Sequence, residues 1–322
     1  MRLLFLGLSV FFLSLSAYSY EAKSFIASTG NTVYYQIMKM PLSNVWIGIG
    51  KKYSNQSAVD NDPEKCLLSH GTNGPLVHGD GNTVGGFCDC RCDPAQNSAC
   101  RTNDIRTLAT NCSSSARRPF LSKSQVDGEG GNFAMNEKGY SGALDGKGNA
   151  AKTLNGILSI DRNLTPKICM LKDSKCDQSV KCEGSGEGSA IFAIQNGPVL
   201  VKDGVNFHTR HNNSRKTRSG LGFIGGTLVY IHASHAIPAG GGRKLDGVSF
   251  NELATLFIKN GVNNSIYLDG ARSYAGSFDS SSGNYQRIVG NTVREAYKLQ
   301  FYDCNRNRGS VNASSPNQTL SI

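Results

Sequence analysis

The chain has 322 residues, a formal net charge of +10, 37 glycines, and 18% charged against 39% hydrophobic residues. That length supports one large domain or two ordinary ones with a sizeable core, and the cationic balance points to anionic partners such as phosphate esters, acidic glycans or a cell surface. It does not point to nucleic acid, because the basic residues are not interleaved with aromatics in any recognisable module.

Met1-Arg2 supplies one positive charge ahead of the apolar run from Leu3 to Leu13, and Ala17-Tyr18-Ser19 places small residues where a signal peptidase cuts. Residues 1–19 therefore read as a cleavable secretory signal, with the mature chain beginning near Tyr20. The run is shorter than the roughly 20 residues a spanning helix needs, and no later segment is long and apolar enough, so no transmembrane segment is expected after cleavage. The protein is expected to be secreted or periplasmic, or to lie in the secretory lumen of a eukaryote.

From Phe25 to Gly50 apolar and polar residues alternate, in Thr32-Val33-Tyr34-Tyr35-Gln36-Ile37 and again in Val45-Trp46-Ile47-Gly48-Ile49, the period of strands. Between residues 54 and 123 the texture changes to Asn, Ser, Gly and Asp with six of the ten cysteines, which reads as a disulfide-stapled insertion. An even cysteine count behind a signal predicts disulfides whose pairing spacing alone leaves open. Cys88-Asp89-Cys90-Arg91-Cys92 lacks the spacing of a zinc knuckle and predicts a local disulfide-rich loop, and no metal is expected. Glycine-rich 128–148 lacks the Lys-Ser/Thr ending of a phosphate loop and reads as tight turns.

The best-patterned stretch begins near Ser189. Ala190-Ile191-Phe192-Ala193-Ile194-Gln195 is a nearly all-apolar buried strand, Asn196-Gly197-Pro198 punctuates it, and Val199-Leu200-Val201 follows before the turn Lys202-Asp203-Gly204. Gly222 to His232 reads as a hairpin turning at Gly225-Gly226. Ser249 and Glu252 form a capping box for a helix whose Leu253, Leu256 and Phe257 share a face, and Gly261 ends it. Ser265-Ile266-Tyr267-Leu268 is a further buried strand, released by Asp269-Gly270. On the residues alone, Asp269 is either a turn-forming aspartate or a strand-end carboxylate available for chemistry. His208/His211 and His232/His235 share a three-residue offset but read as surface histidines. Seven Asn-x-Ser/Thr sequons begin at Asn55, Asn111, Asn163, Asn212, Asn263, Asn312 and Asn317, and would carry glycans only in a eukaryotic secretory pathway.

The order of these signals is specific. Ala193 to Gly204, then Arg218-Ser219-Gly220-Leu221-Gly222, then the Ser249-Phe250 helix, then Tyr267-Leu268-Asp269-Gly270 resembles the phosphodiester glycosidase family, that of the uncovering enzyme. Gly131-Asn132-Phe133 with Gly139 is similar to a segment of its exported bacterial branch. The likeness spans roughly residues 128–280. The chain departs from the family in Ala271-Arg272-Ser273, where the enzyme branch has glycine and small residues.

The resemblance implies hydrolysis of a sugar–phosphodiester bond at the anomeric carbon, without a cofactor. Such a site needs a carboxylate, cations or amides for the phosphate, and a sugar pocket. Asp269 is the candidate carboxylate, and Arg218 the candidate phosphate ligand, since its planar fork suits a phosphate. Arg215 stands in reserve, and both arginines are otherwise solvated loop charges. Gln195 and Asn132 are candidates for sugar hydroxyls or phosphate, or else they satisfy backbone. Gly197 and Gly270 allow close backbone approach, and Arg272 either adds a phosphate contact or blocks the pocket. The alternative is a catalytically inactive secreted protein that binds a glycan or host partner on the same fold. The expected architecture is α+β: mixed, largely antiparallel sheets with a few short helices, as a single domain over 20–305, with the cysteine-rich segment laid against it and a disordered tail over 306–322.

Overall fold

The computed structural model describes residues 20–50, 67–73, 85–93, 95–122, 154–173, 176–182, 189–207, 215–268, 274–279, 284–290 and 298–304. The expected signal and tail lie outside them. The described strands arrange in three sheets. The largest runs in the order β1 (Tyr20–Ile26), β2 (Thr32–Pro41), β13 (Thr227–Ile237), β12 (Arg218–Ile224), β15 (Asn264–Tyr267), β10 (Val199–Lys202) and β11 (Val205–Asn206), with β14 (Leu245–Asp246) paired to β13. The second is β17 (Asn284–Gly290), β16 (Tyr274–Asp279), β4 (Leu67–Asn73), β18 (Lys298–Asp303) and β3 (Val45–Gly50). The third is β6 (Ser113–Arg118), β5 (Phe87–Arg91), β9 (Ala190–Asn196), β7 (Gly156–Asp161) and β8 (Pro166–Met170). Every pairing between these strands is antiparallel. The sheets are thus not mixed among the described residues; the one parallel contact is an isolated bridge, Lys181 to Ser189.

Among the described residues α-helices are few: α1 (Ile105–Asn111), the single turn α2 (Cys176–Ser179) and α3 (Phe250–Lys259). Helix α3 starts where the sequence predicts. Ser249 Oγ accepts from the Glu252 N–H at 3.2 Å, and Glu252 Oε2 accepts from the Ser249 N–H at 2.8 Å. Its face of Leu253, Leu256 and Phe257 packs with Tyr35, Ile37, Ile231 and Ala233 on one side of the large sheet. At Gly220 of β12 a Cβ would come within 2.8 Å of the Phe257 ring and 2.9 Å of the Ile266 carbonyl, so glycine is what lets helix and strand close together. The opposite side of the large sheet contributes Met38, Met40, Tyr230, Leu221 and Ile266 to the main core, with Trp46, Phe301 and Phe192 from the other two sheets.

The cysteine-rich segment differs from the expectation of material laid against the sheets. β5 is hydrogen-bonded between β6 and β9, and Phe87, Cys90, Ile105 and Leu108 sit in the main core. Nor are its disulfides all local. Cys92 joins Cys100 and Cys90 joins Cys112, but Cys88 reaches Cys182, 94 residues away; Cys169 joins Cys176 and Cys304 is also disulfide-bonded. Cys88 and Cys90 belong to different core clusters, and they part where the β5–β6 ladder shifts register between Asp89 and Cys90, with the extra residue on β6. Asp89, between them and buried, accepts from the Ile49 N–H at 3.3 Å and so ties β5 to the edge strand β3 of the second sheet.

Candidate active site

The C-terminal end of β15 is fixed from both sides. The Tyr267 N–H donates to the Pro198 carbonyl (3.0 Å), the Asn196 amide donates to the Tyr267 carbonyl (2.7 Å), and the Leu268 N–H donates to the Ser219 carbonyl (3.0 Å). Asn196 is fully buried, and a buried amide is found where it has acceptors to bond. Here it uses one to hold the Asn196-Gly197-Pro198 crossover from β9 into β10 against the strand end. Gly197 therefore stands in the link that joins the third sheet to the first beside Tyr267 and Leu268, and Leu268 is covalently followed by Asp269. Asp269 itself, with Gly270, Arg272 and Asn132, lies outside the described residues, as do His208 and His211.

Arg218, the first residue of β12, is buried rather than a solvated loop charge. Its Nε donates to the Val248 carbonyl at 2.8 Å. The guanidinium carbon lies 3.7 Å from the centre of the Phe250 ring and 5.5 Å from that of Tyr267, both on the face where α3 packs. Loss of solvent pushes its pKa down from the usual arginine range, and the Tyr267 side chain acts in the opposite direction by charge and hydrogen bonding. The same two aromatic rings meet edge to face at 4.9 Å, which fixes the platform on which the cation rests.

Arg215 is engaged differently. Its Nη2 lies 3.0 and 2.8 Å from the two carboxylate oxygens of Glu252, the residue that closes the α3 capping box. The pair is part-buried and ties the loop before β12 to the helix start. Gln195 also has a structural set of partners. Its Oε1 accepts from the N–H groups of Gly86 (3.1 Å) and Leu121 (2.7 Å), and its Nε2 donates to the Leu121 carbonyl (2.9 Å). Successive residues of a strand face opposite ways, so Gln195 braces Gly86 and Leu121 while Asn196 turns to Tyr267. The described residues thus bring Gly197 and Arg218 to the two sides of the β15 end, and direct Gln195 elsewhere.

His232 is the largest surprise. It is 1% exposed, not a surface residue, and neither ring nitrogen has a hydrogen-bond partner among the described residues. Burial pushes its pKa down to about 4, so the ring is neutral. His235 lies on the Tyr34 ring, 4.8 Å between centroids and 10° between planes, with Ser234 Oγ 2.8 Å from its Nδ1. Its pKa is lowered by burial and then by the nearby Lys244 charge. No group of three metal-ligating side chains occurs among the described residues. Sequence reading missed Asn196, Phe250, Glu252 as the partner of Arg215, and His232. The available signal for the last was the apolar run Leu228-Val229-Tyr230-Ile231 directly before it, which marks a strand buried on both faces.

Comparison with known proteins adds the following. A family model described as phosphodiester glycosidase matches residues 126–294. The catalytic domain of zebrafish N-acetylglucosamine-1-phosphodiester alpha-N-acetylglucosaminidase, auto-inhibited by its pro-peptide, is a similar solved structure, with a TM-score of 0.46 and 11% identity over 92% of this chain and 85% of that one. A hypothetical protein from Synechocystis has a TM-score of 0.38 and 9% identity over 89% of this chain and 62% of that one. No curated protein sequence matches.

Proposed function

The chain belongs to the phosphodiester glycosidase family, whose model matches more than half of its 322 residues, and on that premise we propose that it is an exported hydrolase cleaving sugar–phosphodiester bonds at the anomeric carbon. The observation that supports this reading best is the strand end beside Gly197. Asn196 and Ser219 hold the Tyr267-Leu268 backbone in place, one residue from the buried cation Arg218 on one side and one residue from Asp269 along the chain. The reaction requires a carboxylate and a cation, and in this reading Asp269, the next residue along the chain, and Arg218 supply them.

In the reaction, water adds to the anomeric carbon as its bond to the bridging oxygen breaks. The bridging oxygen leaves with the phosphate, which becomes a monoester dianion, and the proton from water passes to a base or to solvent. The leaving phosphate has a second pKa of about 6, so little acid assistance is needed and one carboxylate suffices. Asp269 orients the water or offsets the positive charge growing at the anomeric carbon. Arg218 meets the second negative charge that appears on the phosphate. Its clamp, Val248 carbonyl on the edge and Phe250 on the face, keeps the fork from rotating. Asn132, Gly270, Arg272 and Arg215 remain assigned to substrate contact in this reading.

The test is release of free sugar from UDP-glucose and UDP-N-acetylglucosamine, each a sugar held through its anomeric oxygen to phosphate. Asp269→Asn and Arg218→Lys are expected to reduce kcat about 100-fold or more. No release from either substrate, or full activity in both variants, refutes the hydrolase; binding without turnover points instead to an inactive glycan-binding protein.

A further inference from the structure

Gln36, His232, Tyr34 and His235 have no role in the reaction as just described. Gln36 of β2 and His232 of β13 are cross-strand partners, and His232 in turn stands opposite Ser219 of β12. Residues directly opposite one another share a face. This row continues the one formed by Met38, Tyr230 and Leu221, so it faces the side of the sheet away from α3. Two positions along β2, Tyr34 and His235 are again partners, with their rings stacked. The row passes from Ala22 at the exposed edge, through half-buried Gln36, to buried His232 and Ser219. It ends at the strand terminus already described, where the Leu268 N–H bonds the Ser219 carbonyl at 3.0 Å.

Both His232 nitrogens and Gln36 Oε1 are buried without a hydrogen-bond partner among the described residues. Leaving such groups unmade is costly, and folded proteins carry few of them. Two adjacent ones on a single face, beside the strand end, are explained by a ligand that supplies the missing bonds. We propose that Gln36 and His232 bind hydroxyl groups of the uncharged sugar ring of the substrate, with the Tyr34–His235 stack as the rim of that subsite. The proposal rests on the sugar–phosphodiester reading above and names which half of the substrate meets which side of the sheet.

The chemistry selects the sugar over the phosphate. A neutral imidazole offers one donor and one acceptor, and Gln36 Oε1 offers an acceptor. Each hydroxyl both donates and accepts, so two neighbouring hydroxyls of a sugar ring answer all three atoms. A phosphate oxygen only accepts, and would meet the lone pairs of Gln36 Oε1 and of the unprotonated ring nitrogen. The cation is on the other side: Arg218 pairs with Ala233 and Ala233 with Tyr35, the row under α3. Sugar and phosphate would thus straddle the sheet end, with Ser219 and Arg218, neighbours in β12, marking the two halves.

The test uses the mature, disulfide-bonded chain. Calorimetric titration with free glucose, free N-acetylglucosamine and inorganic phosphate is run on the unmodified protein and on Gln36→Leu, His232→Leu and His232→Gln. At least one hexose is expected to bind. Each leucine variant should bind it about tenfold more weakly, with phosphate binding unchanged, KM for the UDP-sugar raised and kcat retained. His232→Gln, which keeps a donor and an acceptor, should recover part of the loss. Removing an orphaned polar group should also raise the melting temperature, so a weaker-binding but more stable variant separates this role from a structural one. Should His232→Leu fail to fold, half-buried Gln36 carries the test. Hydrolysis with KM and hexose affinity unaltered in the variants overturns this inference and leaves the hydrolase standing. Binding of hexose that depends on His232, without hydrolysis, sustains the subsite and removes the hydrolase. Failure of the unmodified protein to bind either hexose overturns the subsite.

Discussion

Burial of His232 makes the stability of this fold depend on pH in a calculable way. The ring is neutral in the folded chain because burial lowers its pKa from 6.5 to about 4. Above pH 6.5 the histidine is neutral in both folded and unfolded chains, and it contributes no pH dependence. Below that, the unfolded chain takes up a proton that the folded chain refuses, so stability falls as pH falls until the folded ring also titrates near pH 4. At 1.36 kcal/mol per pKa unit, the full window costs about 3 kcal/mol, a large part of the 5–15 kcal/mol typical of a folded domain. The perturbation is His232→Leu, which removes the titration and leaves other groups in place. The measurement is urea unfolding of both proteins, disulfides intact, at several pH values from 7.5 to 4. The stability gap between them is expected to widen by about 3 kcal/mol in favour of the variant as pH falls. If both proteins lose stability in parallel, His232 is protonated or hydrated in the fold and the reasoning fails.

Two further expectations concern the scaffold around the strand end. Gly220→Ala pushes a methyl group into Phe257 and the Ile266 carbonyl, and should destabilise by about 1–3 kcal/mol, read as a lower denaturation midpoint. Glu252→Gln removes the charge that faces Arg215 while keeping an oxygen for the helix cap. It should lower stability by about 1–2 kcal/mol, and the loss should shrink when Arg215→Gln is combined with it in a double-mutant cycle.

How much of this could be read in advance follows from the range of each interaction. Helix α3 was legible because its capping box, apolar face and terminal glycine are all local: Gly261 has φ +80°, and the Val262 N–H closes on the Phe257 carbonyl at 3.0 Å. The β12–β13 hairpin was legible for the same reason, with Ile224 opposite Thr227 across the two predicted glycines. The partner of each outer strand was not. β2 lies beside β13 and β5 beside β9, and alternation of residue types does not say which distant strand completes a sheet. The role of Arg218 needed Phe250 and Val248, which come from the start of α3, and the bond between Asn196 and Tyr267 joins segments separated by 71 residues. Gln195 shows the converse. A buried strand-end amide reads equally as a ligand or a brace until the positions of Gly86 and Leu121 are known.

The pairing of β2 with β13 also governs how the chain can come into being. The first ribbon, β1 and β2, leaves its inner edge unmatched until Thr227–Ile237 has been made, and Cys88 waits for Cys182. Such long-range closure delays folding, so a nascent chain carries open strand edges and reduced thiols through much of synthesis. Such open edges are hazardous if the polypeptide lingers where it is made. The same wiring predicts that truncation before Thr227 leaves β2 without its inner neighbour, while the third sheet, drawn wholly from residues 87–196, keeps all of its strands.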